Sequence, residues 1–233
     1  MPRAKRQETA QGIRLAAWTL FQEQGFAATS YTDLAERSGV SRPLVQRYVP
    51  QKCLVLETCV QAIREASINV AERAYPQASD PIERLRLMGQ INIAAFFATA
   101  GTRRLMRDVF SSRELTRRNI AESFLWTVRN TLPDRPELAE TEEPDELIMA
   151  MGGLYELLYT YLENGRTPDI AAVTIPGIVT LCKVYGLASP TDEPLDAWLD
   201  QLGIEQERLA ALAEEAIRDV PQVLVSEMYE LNG

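Results

Sequence analysis

The chain has 233 residues, 46% hydrophobic and 24% charged, enough apolar material to bury a substantial core in one or two domains. It has no histidine and only three cysteines, Cys53, Cys59 and Cys182. That excludes His-assisted nucleophilic catalysis, leaves no ligand set for a metal and provides no disulfide framework, so neither metal nor cofactor is expected.

The net charge of −9 conceals an asymmetry. Residues 1–52 hold eight Lys/Arg against four Asp/Glu, whereas residues 53–233 hold 16 against 29. A basic amino-terminal part on an acidic remainder is the pattern of a protein that meets a polyanion at one end. The charged start, MPRAKRQETA, has no apolar core of a signal peptide. The apolar run at 91–100 is far short of the roughly 20 residues that span a bilayer. No membrane association and a cytoplasmic location are expected.

Nearly every periodic segment has helical spacing, so an all-α fold is predicted. The first helix is expected at about 7–24, with Ile13, Ala16, Ala17, Leu20 and Phe21 on one face and Gly25 just past its end. Before it, Arg3, Lys5 and Arg6 form a basic arm suited to a minor groove or to phosphates. The second helix follows Thr29 and Ser30, with Ser30 and Asp33 as a capping box, and ends at Gly39. The third has Ser41 as N-cap and Pro43 in its first turn, and ends near Pro50. A long helix at 51–74 is stopped by Pro76. Segments at 81–100, 102–110 and 112–132 follow, with Gly101 as a break. Residues 133–144 form an acidic, proline-containing loop. Two apolar helices are expected at 146–163 and 168–185, the second kinked at Pro176. A linker at 189–194 leads to two tail helices joined at Gly203.

The stretch from Tyr31 to Pro50 carries the sharpest signal. Two short helices that cross steeply need a small residue at the crossing and a turn residue that tolerates positive φ. Ala35 and Gly39 meet those needs, and Leu34, Val40, Val45 and Tyr48 supply a small core. Arg42, Leu44, Gln46 and Arg47 are then less needed for packing. Arg and Gln are the side chains that pair with guanine and adenine edges. An ordinary helical hairpin with a glycine turn is the alternative.

Leu20-Phe21, Gly25-Phe26, Thr29-Ser30, Asp33-Leu34-Ala35, Ser38-Gly39-Val40-Ser41 and Lys52 together resemble the DNA-binding head of the tetracycline-repressor (TetR) family of bacterial regulators. The resemblance covers about residues 17–56. It implies an N-terminal three-helix helix-turn-helix head at 1–50 and a larger helical effector-binding and dimerisation body at 51–233. Residues 190–233 would be an extra C-terminal helical segment. It also implies a homodimer on a palindromic double-stranded operator, acting as a repressor and released by a small-molecule effector. By position, Thr29, Ser30 and Lys52 would touch phosphates, and the helix from Ser41 would enter the major groove with Arg42, Pro43, Leu44, Gln46 and Arg47. The sequence departs from the pattern at Gln46, where the family usually has a phosphate-contacting Tyr. Tyr48, with Tyr31, is expected to help there instead.

The same resemblance places Phe96, Phe97, Met106, Phe110, Phe124, Trp126, Met149, Tyr155 and Tyr159 around a largely apolar effector pocket. It places Leu147, Ala150, Gly153, Leu154, Leu157, Leu158, Tyr161, Ala171, Ala172 and Ile178 in a four-helix dimer interface. No catalytic constellation, GxGxxG motif or P-loop is present, so an enzyme is not expected. A helical enzyme or a protein-interaction module with a basic head remains the alternative class.

Overall fold

The structure is a computed structural model that describes residues 3–78, 80–131, 145–185 and 204–226. The side chains of Arg3, Phe124, residues 126–131 and Tyr185 lie outside this description. Among the described residues every regular element is a helix: α1 (Arg3–Glu23), α2 (Tyr31–Ser38), α3 (Arg42–Tyr48), α4 (Lys52–Ala74), α5 (Pro81–Phe97), α6 (Ala100–Ser111), α7 (Arg113–Thr131), α8 (Asp145–Glu163), α9 (Ile170–Tyr185) and α10 (Gln206–Leu224). No helix among them is long and apolar enough to cross a membrane. The predicted linker at 189–194 and the first tail helix lie outside the described residues.

Helices α1 to α3 form the head. Phe21, Ile13, Leu34 and Val45 are fully buried and Val49 nearly so. The turn between α2 and α3 is made by Gly39 at φ 70°, whose N–H, like that of Val40, donates to the carbonyl of Ala35. That left-handed conformation is open to glycine at little cost. Gly25, at φ 89°, ends α1 in the same way. The core of the head is continuous with that of the body, so one apolar cluster runs from Ile13 and Phe21 through α4 and α5 into α10.

Three expectations are corrected. First, α1 begins at Arg3, so Arg3, Lys5 and Arg6 sit in its first two turns and not on a flexible arm. Alanine, arginine, lysine, glutamine and glutamate are good helix formers, and nothing in that segment stops the helix. Second, Gly101 does not break a helix. Thr99 caps α6 by a reciprocal pair with Thr102, and Gly101 lies in the first turn. A Cβ there would stand 2.7 Å from Cβ of Gln22, so the glycine lets α6 lie directly against α1. Third, α9 and α10 each continue as one helix through Pro176 and Pro221.

The tail helix α10 packs along α4 and α5 with Leu212, Ala216, Val220 and Leu224 buried. It also grips the head. The Arg14 guanidinium, buried on α1, donates to the Leu224 carbonyl (2.9 Å), and the Gln11 amide donates to the Val225 carbonyl (2.6 Å). At its other end the Ile204 N–H donates to the Gln90 side-chain carbonyl of α5 (3.0 Å).

A candidate nucleic-acid interface and a cavity in the body

Helix α2 starts with a complete capping box. The Asp33 N–H donates to Ser30 Oγ (3.2 Å), and the Ser30 N–H donates to the Asp33 carboxylate (2.7 Å). The backbone N–H of Ser30 holds the Asp33 carboxyl below the usual aspartate range, with the Ser30 hydroxyl second. Helix α3 buries Val45 and exposes Ser41, Arg42, Pro43, Gln46 and Arg47, with Leu44 and Tyr48 half-buried. Among the described residues no hydrogen bond or ion pair engages Arg42, Gln46 or Arg47. A seven-residue helix therefore turns its hydrogen-bonding side chains to solvent, held by an apolar back. Lys5 and Arg6 are exposed on the first turns of α1.

Two predicted phosphate contacts take on other tasks. Thr29 is buried, and its hydroxyl donates to the Gly25 carbonyl (2.7 Å). The Lys52 ammonium is turned inward, donating to the carbonyls of Phe26 and Thr29 (2.6 Å each) and standing 4.3 Å above the Phe26 ring. Burial pulls this ammonium below the ordinary lysine range, opposed by the charges of Asp108 and Asp33. Lysine at the start of α4 thus closes the loop between α1 and α2, because two carbonyls and a ring face lie within its reach. Tyr31 donates to the Pro50 carbonyl (3.2 Å), tying α2 to the end of α3.

The loop that Lys52 closes is also held from the body. On α6, Asp108 accepts from the Phe26 N–H (2.7 Å), and Arg104 donates to the carbonyls of Gln22 and Glu23 at the end of α1. Orphan carbonyls at a helix end attract a cation, and the guanidinium supplies one. Head and body therefore meet at four places: α4 itself, Arg104, Asp108 and the α10 clasp.

In the body, α4, α5, α7, α8 and α9 enclose a cavity of about 110 Å³. It lies where the main core meets a smaller apolar cluster of Leu85, Leu147, Ile178, Leu181 and Cys182. Its wall is mostly apolar, including Ile68, Met88, Ile93, Phe96 and Leu154. Four polar side chains, Arg64, Asn92, Ser123 and Tyr155, also line it. Arg64 donates to Asn119 Oδ1 (2.9 Å) and Ser123 Oγ (2.8 Å), and Ser123 shares a hydrogen bond with the Tyr155 hydroxyl (3.1 Å). Burial pushes the Tyr155 phenol up, so it stays protonated at neutral pH.

Of the predicted pocket residues, Phe96 and Tyr155 line this cavity. Phe110 is one layer behind, edge-on to Phe96 and stacked on Tyr155 at 4.9 Å. Phe97 and Met106 are buried away from the cavity, Phe97 under the Arg103 guanidinium. Tyr159 instead donates to Glu163 (2.8 Å). Met149 is corrected outright: it is 76% exposed, on the outer face of α8. The side chains of Phe124 and Trp126 lie outside the described residues. Sequence reading missed Arg64, Asn92 and Ser123. Arg64 left a signal, since it falls between Val60, Ile63, Ser67 and Ile68 on the buried face of α4, where a charge is unexpected.

The predicted dimer residues divide in two. Leu147, Leu158 and Ile178 are buried within this chain, and Leu147, Leu154 and Ile178 line the cavity, so they face inward. Gly153 and Leu157 on α8 and Ala172 on α9 are exposed, while Ala150, Tyr161 and Ala171 are half-buried. The outward face of α8 also carries Met149 and Ile148, the latter 42% exposed.

Residues 13–52 match the family described as bacterial regulatory proteins, tetR family. Over 102 residues the chain is 28% identical to the nucleoid occlusion factor SlmA of Vibrio vulnificus, in strains YJ016 and CMCP6. That alignment takes in 44% of this chain and 50% of each relative, so the chain spans about half the length of the curated relatives it matches. A solved gamma-butyrolactone receptor (ArpA-like protein) aligns over 94% of this chain and 100% of its own, at 14% identity and a TM-score of 0.40.

Proposed function

From a chain whose amino-terminal helix-turn-helix is that of the TetR family of bacterial regulators, we infer a cytoplasmic repressor that binds a palindromic operator as a homodimer and is released by a small molecule in its body. The observation that carries this reading is the outward face of α3. Arg42, Gln46 and Arg47 are exposed and unengaged among the described residues, on a helix anchored by Val45. Such a helix suits a major groove, with Arg and Gln reading base edges. Ser30, Tyr31, Ser41 and Tyr48 lie where phosphates would pass, and Lys5 and Arg6 add positive charge on α1.

Two heads read one duplex face only at a spacing near 34–36 Å or a related separation. The exposed apolar face of α8, with Met149, Gly153 and Leu157, and the exposed Ala172 and Pro176 of α9 would pair with the same face of a second copy. In this reading residues 1–50 act as the DNA-binding unit and 51–233 as the effector and dimer unit. Phe96 and Tyr155 face the effector directly, and Phe110 supports them. A ligand favouring one arrangement of α4, α5 and α8 shifts the heads by its differential affinity for that arrangement. Helix α6, holding both ends of the α1–α2 loop, and α4, passing directly into the body, are the mechanical links. No catalytic role is assigned.

The test is selection of duplexes from random DNA by the purified chain, followed by anisotropy titrations across salt. Enrichment of an inverted repeat, bound in a strongly salt-dependent way and not bound when scrambled, is expected. Equal affinity for scrambled DNA, or a stable monomer at micromolar concentration in sedimentation, would overturn the reading.

A further inference from the structure

We propose that the body cavity is a site for a small monocarboxylate: an apolar body of one ring or a short chain, with its carboxylate held by Arg64 and Asn92. This deepens the effector reading and rests on it only for the regulatory consequence.

Size bounds the ligand first. A cavity of about 110 Å³ is somewhat smaller than the roughly 150 Å³ void that holds benzene in an engineered core. A ligand of about one ring therefore nearly fills it, with slight movement of the wall. The apolar wall of Ile68, Met88, Ile93, Phe96 and Leu154 suits a hydrocarbon body.

The polar groups then select the head of the ligand. The Asn92 amide nitrogen is buried and has no hydrogen-bond partner among the described residues. A buried donor left in that state costs about 1–3 kcal/mol, so a ligand oxygen accepting from it gains affinity. Arg64 is 9% exposed and stays charged, and its side chain only donates. Tyr155, still protonated, is a further donor reached through Ser123. No Asp or Glu is among the residues that line the cavity. The wall is thus rich in donors, carries a positive charge, and has no anion of its own. A guanidinium is matched best by a carboxylate, which can accept two parallel N–H bonds. A cation would meet Arg64 unfavourably, and a plain hydrocarbon would leave Asn92 unanswered.

The experiment is calorimetry on the full chain without DNA, with benzoate and hexanoate set against their isosteric neutral amides, benzamide and hexanamide. At least tenfold tighter binding of each acid is expected. Arg64→Gln should abolish that preference while leaving the amides within about threefold of their original affinity. Asn92→Leu, which removes the amide at nearly constant size, should weaken the acids and not the amides, and it serves alone where Arg64→Gln fails to fold. Amides that bind as well as acids, acids unaffected by Asn92→Leu, or no acid binding at 10 mM (a threshold of about 2.7 kcal/mol in affinity) would overturn the proposal. Because binding is read without DNA, an acid that binds but never alters operator affinity defeats the effector reading and leaves this one standing.

Discussion

The head and the body solve opposite problems. Helix α3 buries one side through Val45 and turns Arg42, Gln46 and Arg47 outward. The body turns Arg64 inward, into a cavity walled by hydrocarbon. In water, a guanidinium costs little to hold and is selective only when a large polyanion approaches. In the interior it must be bonded within the fold, and it then discriminates strongly among small partners. The same residue type therefore supports recognition of a polymer surface in one region and of a single small group in the other. The two regions are also joined. The apolar core is continuous from α1 to α10, and Lys52, Arg104, Asp108 and Arg14 stitch the loop and the first helix to the body.

The largest expected effect tests that junction. Phe21→Ala opens a void in the shared core and should cost about 3–5 kcal/mol. Thermal unfolding should remain a single transition, since the head has no core of its own to melt separately. Two resolved transitions would break the comparison by making the head an independent unit.

Lys52→Met should come next, losing about 1.5–3 kcal/mol of stability with the bonds to the Phe26 and Thr29 carbonyls. DNA affinity should fall for all sequences because the head is loosened, with the salt slope unchanged. A slope lower by about one would instead return Lys52 to the phosphates.

Arg47→Ala and Gln46→Ala should leave the melting temperature within experimental error and cost about 1–3 kcal/mol of DNA affinity at one base position each. Affinity lost equally at every position would make these residues backbone contacts.

The smallest effect is one of pH. Asp33 is held below its ordinary pKa by the Ser30 N–H, so its folded value lies below its unfolded value. Its contribution is full above the ordinary aspartate value and is lost as pH falls through the folded one. Wild type should lose stability in acid relative to Asp33→Asn, and parallel melting curves between pH 5 and pH 2.5 would remove the capping box from the account.

The legible features were local ones. Ser30 with Asp33, Gly39 after Ala35, and Val45 behind an exposed Gln46 each act over four or five residues, so a linear reading finds them. The amino-terminal basic residues were misjudged because charge alone says nothing about whether a segment stays helical, and α1 reaches back to Arg3. Pocket aromatics were only half found. Aromatic side chains at helical spacing fill cores and cavities alike, and Phe97, Met106 and Phe96 differ only in which neighbour faces them. Met149 and Leu147 are two residues apart on one helix, yet one is in solvent and the other lines the cavity.

What the order of amino acids determined by itself is the helical class and the design of the reading head, because capping, turn geometry and amphipathic spacing are short-range forces. What only the packed molecule decided is where Lys52 sends its charge, that Gly101 is a close-approach residue, that the tail clasps α1, and that Arg64 and Asn92 share one cavity. Those outcomes depend on how five or more helices rotate against one another, and the contacts that set the rotation join residues far apart in the chain.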